Sequence, residues 1–295
     1  MHLVERELMR YAEENPELVQ IRTSLRYPKL QVVKYKNKVF YKDLWTPELC
    51  KMRGLVVDSK WNVIVRPFDK IFNRGELLAP RWDHGEPVIA VRKINGFMAA
   101  LTKDEDYGHI VSTTGSLDSP FVAIAEKYLN PIKEHGLING VTYIFEIVDP
   151  EDPHIIKETP GAYLIGARTV CSKMQLHECD LDVIARGFKV MRPEWKQCYF
   201  GEILDERKKV EHEGWVCYNY AYETACKIKS SYYLTKKLFM RINGAKLTPK
   251  WFKQNRENID EEFYPLFDAI ANDPQFPLLD QVDRRKWIER YLKNK

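Results

Sequence analysis

Lys93 has the residue type and the setting of a nucleophile that attacks a phosphate. It follows the apolar stretch at residues 87–91 and stands three residues before Gly96, in the string Lys93-Ile94-Asn95-Gly96. An ordinary lysine has a pKa of about 10.4, so it attacks only where burial, a neighbouring cation or a metal favours the neutral amine. Because a lysine and a glycine meet at this spacing by chance in many chains, a solvated turn lysine is the alternative interpretation.

Two carboxylates downstream have positions that suit a metal-assisted transfer of a phosphoryl-type group. Glu146 lies in the apolar segment 143–148, where strand alternation places it on one face with Ile144 and Val148. Its burial is costly unless it is paired or bound to a metal. Glu213 precedes Gly214, and glycine lets a backbone or a ligand approach closely. The pattern favours a ribose or magnesium contact at Glu146 and a second acidic group at Glu213. The alternatives are a solvated edge-strand residue and a loop-exit residue.

Two further lysines lie two residues apart in a segment that reads as a strand. Lys227 and Lys229 alternate with Cys226 and Ile228, so both side chains project from the same face. Two like charges side by side repel each other unless an anion lies between them, and a triphosphate or a phosphodiester supplies such an anion. An exposed sheet face is the alternative interpretation of the pair.

The bulk composition is that of an ordinary globular chain. Its 295 residues suffice for one large domain, or for a large and a small one. No apolar run approaches the roughly 18 residues of a membrane span, and the charged N-terminus lacks the apolar core of a signal peptide. None of the six cysteines forms a C-x-x-C pair, which argues against a zinc ribbon. We therefore expect no membrane association and a cytoplasmic location with reduced thiols, in the host cytoplasm if the chain is viral.

The distribution of charge is more informative than the net charge of +4. Between residues 227 and 253 there are eight basic residues, no acidic residue and five interleaved aromatic residues. Such a tract is typical of a nucleic-acid surface, although a solvated helix face beside a core gives the same pattern.

The element pattern predicts an α+β fold. A helix is expected at residues 2–14, hairpins at Gln31–Tyr41 and at 55–65, and further strands up to residue 229. After Ser230 the pattern becomes helical, with helices expected at residues 232–242, 249–255, 259–271 and 283–292. We therefore predict a mostly antiparallel-sheet domain at residues 1–235 and a small all-α domain at 236–295.

Taken together, the order and spacing of these segments resemble the covalent nucleotidyltransferases, and in particular the ATP-dependent RNA ligases of the T-even phage RNA ligase 1 type. The resemblance covers roughly residues 1–235. The segments that carry it are Met52-Arg53-Gly54, residues 66–73, Lys93–Gly96 (motif I), Thr114–Ser116 (Ia), Phe145–Val148 (III), Tyr163–Gly166 (IIIa), Glu213–Val216 (IV) and Lys227–Ser230 (V).

The resemblance implies the fold of a nucleotidyltransferase, or ATP-grasp-like ligase, domain and a three-step joining of RNA ends. Lys93 would take AMP from ATP, the AMP would pass to the 5′-phosphate of an RNA, and a 3′-hydroxyl would then displace it. Glu146 and Glu213 would contact the ribose and position Mg²⁺, or Mn²⁺ in its place. Lys227 and Lys229 would bind the phosphates.

The resemblance also implies the other nucleotide contacts. Arg53 and Lys70 would face the phosphates of ATP, and Arg92 and Gly96 would complete the nucleotide site. The expected partner is RNA with 5′-phosphate and 3′-hydroxyl ends, with tRNA as one candidate. No phosphate-binding G-x-x-x-x-G-K-[ST] loop is present, so a separate enzyme would heal the ends where they need processing.

Two departures from the family pattern and three alternatives stay open. Asn95 stands where aspartate is commoner, and Thr114 occupies a position that is often lysine. A DNA ligase or an mRNA-capping nucleotidyltransferase shares the chemistry, and a non-catalytic RNA-binding protein would use the basic tract alone. A protein kinase is excluded because no Gly-rich loop, H-R-D or D-F-G segment accompanies Lys93.

Overall fold

A computed structural model describes residues 3–171, 175–255 and 263–293, which divide into two compact units. The first unit comprises the chain up to Ile71, Gly96–Asp152 and Thr159–Pro193. The second comprises Phe72–Asn95, Pro153–Glu158 and the chain from Glu194 onward. The predicted domain boundary after residue 235 stays a prediction.

The described residues form strands β1–β13 and helices α1–α10. The strands are Val19–Thr23, Leu30–Tyr35, Arg53–Asp58, Val63–Val65, Phe72–Asn73, Pro87–Arg92, Phe97–Asp104, Gly108–Thr113, Val141–Val148, Gly161–Thr169, Trp195–Tyr199, Gly214–Tyr218 and Ala225–Lys229. The helices are Leu3–Glu14, Asn37–Tyr41, Pro47–Lys51, Pro120–Leu129, Glu178–Phe188, Phe200–Glu206, Ser231–Arg241, Pro249–Asn255, Tyr264–Ala271 and Gln281–Lys293.

The first unit contains two antiparallel sheets. Their strand orders are β1-β2-β3-β4 and β10-β9-β7-β8. One buried cluster joins apolar residues of both sheets, among them Val32, Val56, Ala100 and Ile110. A second cluster packs the β9 and β10 residues against α4 and α5, where alternation along the strands separates core-facing from opposite-facing side chains.

The predicted hairpin at Gln31–Tyr41 is wrong. Strand β2 ends at Tyr35, and residues Asn37–Tyr41 form helix α2. The partners of β2 are β1 and β3 instead. The helix buries Val39 completely in the core next to α3, while Phe40 and Tyr41 stay exposed. A segment of five residues is too short to show helical periodicity clearly in the sequence.

The second unit combines one sheet and a helical cluster. The sheet has the order β11-β6-β12-β13-β5, antiparallel except for the last pair. Cys217 and Cys226 lie directly opposite each other on β12 and β13, and both are fully buried beside α6. The antiparallel sheets followed by helices confirm the predicted α+β class.

Helices α7–α10 pack around a fully buried aromatic core. The ring of Phe239 lies 5.8 Å from that of Phe267 and 6.3 Å from that of Phe276. Lys236 of α7 is buried and forms an ion pair of 3.0 Å with Glu289 of α10. Of the helix predicted at 259–271, residues 259–262 lie outside the described residues. Among the helices of the described ranges, none combines the length and the hydrophobicity that a bilayer span requires.

Gly166 is a position at which the first unit tolerates no side chain. A Cβ there would lie 2.3 Å from Cζ of Phe68, a ring that is itself buried against Met98 and Ile144. Gly166→Ala therefore forces a rigid core ring to move, and we expect it to lower the free energy of unfolding by about 1–3 kcal/mol.

Gly187→Ala is the matched control for this substitution in urea unfolding experiments. A Cβ at Gly187, in helix α5, meets no atom within 4 Å. We expect it to raise the free energy of unfolding by about 0.5–1 kcal/mol, since alanine is the better helix former. Equal midpoints for Gly166→Ala and the wild type would contradict the packing argument.

Candidate active site

Strand pairing places Lys93 beside Glu213. Strand β6 ends at Arg92, and the next backbone N–H, that of Lys93, donates to the carbonyl oxygen of Gly214 at 2.8 Å. Since β6 and β12 run antiparallel, the end of one strand meets the beginning of the other. The Nζ of Lys93 then lies 3.2 Å from Oε2 of Glu213.

Glu213 is a buried carboxylate that is shared by three donors. Only 2% of the residue is exposed. Lys93 and the amide Nδ2 of Asn95, at 2.7 Å, both approach Oε2, while Lys229 forms an ion pair and a hydrogen bond with Oε1. A buried charge is tolerated only where it is paired and hydrogen-bonded, and this carboxylate meets both conditions.

Two lysines and one carboxylate leave the cluster with one positive charge in excess. Burial lowers the pKa of Lys229 to about 8, because desolvation and the neighbouring Lys93 outweigh the attraction of Glu213. Burial alone would raise the pKa of Glu213, but the two lysines hold it below its usual range. The first proton lost on raising the pH thus comes from the lysine pair, and such coupled titrations belong to the pair rather than to one residue. The cluster therefore supplies a neutral amine at a lower pH than an isolated lysine would.

Gly214 is required by a close backbone approach. Its φ is +128°, and a Cβ would lie 2.0 Å from the carbonyl oxygen of Ile228 on β13. The sequence predicted that a backbone or a ligand comes close to this glycine, and in the structure the backbone of β13 does so. The pairing of β12 with β13 places Lys229 directly opposite Gly214.

Lys227 and Lys229 project from the same face of β13, as strand alternation predicts. Both are half-buried, whereas the intervening Ile228 is buried on the other face. Both lysines line one cavity of about 390 Å³. This placement excludes a simple solvated sheet face.

Arg92 is held by a buried partner that the sequence did not indicate. Its Nη2 lies 2.7 Å from Oε2 of Glu158, and burial raises the pKa of that carboxyl even though Arg92 opposes the shift. Burial, and then the charge of Arg92, lower the pKa of His212 to about 4, so this imidazole is neutral at physiological pH. Its Nδ1 accepts a hydrogen bond from the backbone N–H of Gly214 at 3.1 Å.

Glu146 and Gly96 belong together in the first unit. Glu146 is buried on β9, which is an interior strand between β10 and β7, and this excludes an edge-strand position. The N–H of Gly96 donates to Oε1 of Glu146 at 3.2 Å. A Cβ at Gly96 would lie 2.2 Å from the carbonyl oxygen of Ile147, so glycine is needed where this segment crosses β9.

Arg53 and Lys70 also lie in the first unit. The Nη1 of Arg53 is 3.3 Å from Sδ of Met98, and the Nζ of Lys70 lies 5.1 Å from the centre of the Trp45 ring. Both side chains are half-buried, and these contacts restrain the two cations.

Lys34 is a basic residue that motif reading missed. It lies on β2, and its Nζ is 3.4 Å from the position of a Cβ on Gly115. It therefore brings a positive charge to the segment in which Thr114 stands at an often basic position. No spacing in the sequence links residue 34 to residue 115, because only the fold brings them together.

The predicted site residues thus form two groups. In the second unit the structure brings together Lys93, Glu213 and Lys229, with Asn95 as the added member, while Lys227 and Arg92 lie on the flanking strands. The first unit holds the remaining residues, which are Arg53, Lys70, Gly96 and Glu146.

The fold is that of the ATP-dependent polynucleotide ligases. The chain is similar to an archaeal ATP-dependent RNA ligase with a TM-score of 0.60 at 15% identity, covering 97% of this chain and 75% of that one. A putative ATP-dependent DNA ligase from Aquifex aeolicus gives a TM-score of 0.55 at 13% identity, covering 97% and 76%. At such identities these likenesses establish the fold alone.

The sequence comparisons establish the family. The family model described as RNA ligase, of the T-even phage RNA ligase 1 type, matches residues 51–234, more than half of the chain. The chain belongs to this family, and the predicted resemblance is confirmed.

Two phage proteins are relatives over part of their length. The RNA ligase 1 of Bacteriophage TS2126 is 30% identical over 148 residues, which covers 42% of this chain and 37% of the relative. The RNA ligase of Rhodothermus phage RM378 is 28% identical over 163 residues, covering 40% and 37%. The matches thus span well under half the length of these relatives.

Lys93→Met tests the charge coupling in the cluster. Lys93 contributes to the lowered pKa of Lys229, so without it Lys229 holds its proton more tightly against Glu213. We expect acetylation of Lys229 by acetic anhydride, followed by peptide mass spectrometry over a pH series, to require a higher pH in this variant than in the wild type. Lys227→Met is the control, since it leaves the three charged members in place. Unchanged Lys229 titration in Lys93→Met would refute the coupling.

Asn95→Ala tests the polar support of Glu213. Besides its bond to Glu213, Asn95 accepts a hydrogen bond from the N–H of Ile156 at 2.8 Å. The substitution leaves two buried groups short of a partner, and we expect a loss of about 2–4 kcal/mol in the free energy of unfolding.

Asn139→Ala is the matched control for Asn95→Ala. It removes an amide-to-carboxylate bond of 3.3 Å to Glu105 that is exposed to solvent, and it should cost under about 0.5 kcal/mol. Equal losses in the free energy of unfolding for the two variants, measured by urea unfolding, would show that the buried hydrogen bonds of Asn95 contribute no more to stability than an exposed one.

Proposed function

We propose that the chain is an ATP-dependent RNA ligase that joins 5′-phosphate and 3′-hydroxyl ends. The observation that carries the proposal is the Nζ of Lys93 held 3.2 Å from a buried carboxylate that it shares with Lys229. A lysine used only for stability gains little from a second lysine on the same carboxylate, whereas a nucleophilic amine benefits from a neighbouring cation. Membership in the RNA ligase family supports the same proposal.

In the proposed first step, the neutral Nζ of Lys93 attacks the α-phosphorus of ATP. A phosphorus–nitrogen bond forms, the bond to the leaving oxygen breaks, and pyrophosphate departs. The AMP then moves to the 5′-phosphate of an RNA, and finally a 3′-hydroxyl attacks that phosphate and releases AMP. Each step is an in-line displacement, so positioning and charge neutralisation supply most of the acceleration.

The residues of the site have the following proposed roles. Glu213 keeps Lys93 oriented, and Lys229 brings a second cation to the same carboxylate. Lys227 and Lys229 bind the phosphates, and Arg53 and Lys70 add positive charge on the phosphates of ATP. Lys34 supplies a cation beside Thr114, and Arg92, fixed by Glu158, and Gly96 complete the nucleotide site.

A divalent metal fits these residues only together with a nucleotide. Among the residues that the structure describes, no group of three or more His, Cys, Asp and Glu is placed to hold a metal. Magnesium does not need a larger group of protein ligands, since it commonly binds one or two carboxylates and takes its other ligands from phosphates and water. Glu146 and Glu213 are the carboxylates that we propose, with Mn²⁺ able to replace Mg²⁺. When bound, the metal would neutralise phosphate charge.

The proposed partner is RNA with ready-made ends, with tRNA as one candidate. A separate end-healing enzyme would act first on ends that lack the 5′-phosphate. Because the relatives are phage proteins, we place the activity in the cytoplasm, that of the host if the chain is viral.

The decisive experiment is incubation with α-labelled ATP and magnesium, followed by a denaturing gel. We expect a labelled protein band that pyrophosphate removes, no band for Lys93→Ala, and a rate lowered by about a hundred-fold or more for Glu146→Ala, Glu213→Ala and Lys227→Ala. Lys196→Ala is the matched control, because Lys196 lies on β11 of the same sheet and forms an ion pair with Glu206 of α6.

Two further comparisons separate the alternatives. Labelling by GTP instead of ATP would indicate a capping enzyme, and sealing of DNA but not RNA strands would indicate a DNA ligase. RNA binding with no labelled band would overturn the proposal in favour of a non-catalytic binding protein. Normal sealing by Lys93→Ala would refute the mechanism.

A further inference from the structure

The second unit contains a cavity whose charged lining is entirely basic. Its volume is about 390 Å³, and its nine lining residues, all within the described part of the chain, include five cations and no carboxylate. The lining residues are Asn73, Arg74, Arg207, Lys227, Ile228, Lys229, Tyr233, Leu234 and Lys237. Of the five cations, Lys227 and Lys229 already belong to the proposed active site, whereas Arg74, Arg207 and Lys237 have no assigned role.

Four separate elements bring these cations together. Arg74 directly follows β5, and its backbone N–H donates to the carbonyl oxygen of Lys227 at 3.0 Å. Arg207 caps the end of α6, and its carbonyl oxygen accepts from the N–H of Ser231 at 3.0 Å. Lys237 lies on α7, two turns from its start. The convergence is therefore fixed by backbone hydrogen bonds and not by the side chains alone.

The aromatic ring of Tyr233 organises part of this lining. The Nζ of Lys229 lies 4.8 Å from the ring centre and the Nζ of Lys237 lies 5.7 Å from it. Tyr233 is buried, so its ring is a fixed support for two ammonium groups. The ring attracts both cations without supplying a negative charge, and of the two Lys229 is also paired with Glu213.

Five cations that line one small cavity, with no carboxylate in the lining, favour an anion there. An anion with more than one phosphate can pair with several of them, and arginine is suited to bidentate phosphate contacts. The chemistry of the lining thus selects a phosphate-bearing ligand.

The position of the cavity indicates whether its phosphates would belong to a nucleotide or to a nucleic-acid strand. In the sheet order, β5 stands three strands from β6, which ends next to Lys93. Three strand spacings amount to about 14 Å. A nucleotide whose α-phosphate is at Lys93 presents only two further phosphates, whereas a nucleic-acid strand presents one at every residue. The lateral extent of the basic lining therefore favours a strand.

We propose that Arg74, Arg207 and Lys237, together with Lys227, form a subsite for the phosphodiester backbone of the RNA strand that carries the 5′-phosphate. The inference rests on the proposed ligase function and adds residues that hold the strand next to the reacting end. Backbone contacts of this kind position a strand without reading its sequence.

Binding is tested first, with the full chain and without ATP. The probe is a short fluorescent single-stranded RNA with a 5′-phosphate and a blocked 3′ end, and the variants are Arg74→Gln, Arg207→Gln and Lys237→Gln. We expect each to weaken binding about ten-fold, as for loss of one charge-assisted hydrogen bond. The slope of log K against log salt should fall by about 0.7 for each contact removed.

Lys208→Gln and Lys209→Gln are the matched controls, since they neutralise exposed lysines directly after Arg207 that do not line the cavity. We expect both to bind like the wild type. Arg74→Lys and Arg207→Lys keep the charge and should recover most of the affinity, which excludes unfolding as the cause of a loss.

Catalysis then separates the two sources of phosphate. Sealing of pre-adenylated RNA needs no ATP, and we expect the three glutamine variants to slow it about ten-fold at subsaturating RNA. Their self-adenylylation with ATP should change by less than about two-fold. Equal losses in both reactions would assign the cavity to the phosphates of ATP and overturn the proposal, as would binding and sealing like the wild type.

These outcomes are distinct from failure of the ligase function itself. If the wild type forms no lysine adduct and seals nothing, the proposed function falls regardless of the variants. If the wild type seals and the cavity variants do so equally well, only the RNA subsite falls.

Discussion

The site depends on one buried carboxylate that two lysines share. A single lysine opposite Glu213 would form an ordinary ion pair, in which burial favours release of the proton of the amine and the attraction of the carboxylate opposes it. Adding Lys229 shifts that balance, because the excess positive charge is relieved when either amine becomes neutral. The amide of Asn95 then satisfies the carboxylate without adding charge. Charge counting around Glu213 thus favours a neutral amine within the lysine pair.

The strand pairing in the sheet of the second unit brings Lys93, Glu213 and Lys229 together. Antiparallel pairing of β6, β12 and β13 brings the end of the first strand, the start of the second and the end of the third to one edge. Gly214 permits the close approach of β12 and β13 at that edge. In the first unit Gly96 has the corresponding role beside β9, where it lets a backbone N–H reach Glu146.

Sequence reasoning predicted the parts of the site that depend on local periodicity. Strand alternation placed Lys227 and Lys229 on one face, and the apolar surroundings of Glu146 indicated a buried carboxylate. The fold class followed from the change of pattern after residue 230. What it missed depends on contacts between distant segments, because neither Glu158 nor Lys34 has a local signal that links it to Arg92 or Gly115.

The errors have the same physical origin. The expected hairpin at residues 31–41 used the nearest available partner, whereas β2 pairs with strands on both sides of it in the chain and α2 is stabilised by burying Val39. Short helices gain most of their stability from tertiary packing and little from propensity. Asn95 was noted only as a departure from a pattern, and its function as a donor to Glu213 became visible once the strands were paired.

The opposed thiols of Cys217 and Cys226 make the packing of α6 on the sheet of the second unit accessible to a chemical reagent. Both side chains are buried beside α6, and burial raises the pKa of both, that of Cys226 to about 11, so almost no thiolate is present at neutral pH. Alkylation of these sulfurs therefore requires local opening of the packing around them. The rate at which an alkylating reagent modifies the two cysteines thus reports how often this part of the second unit opens.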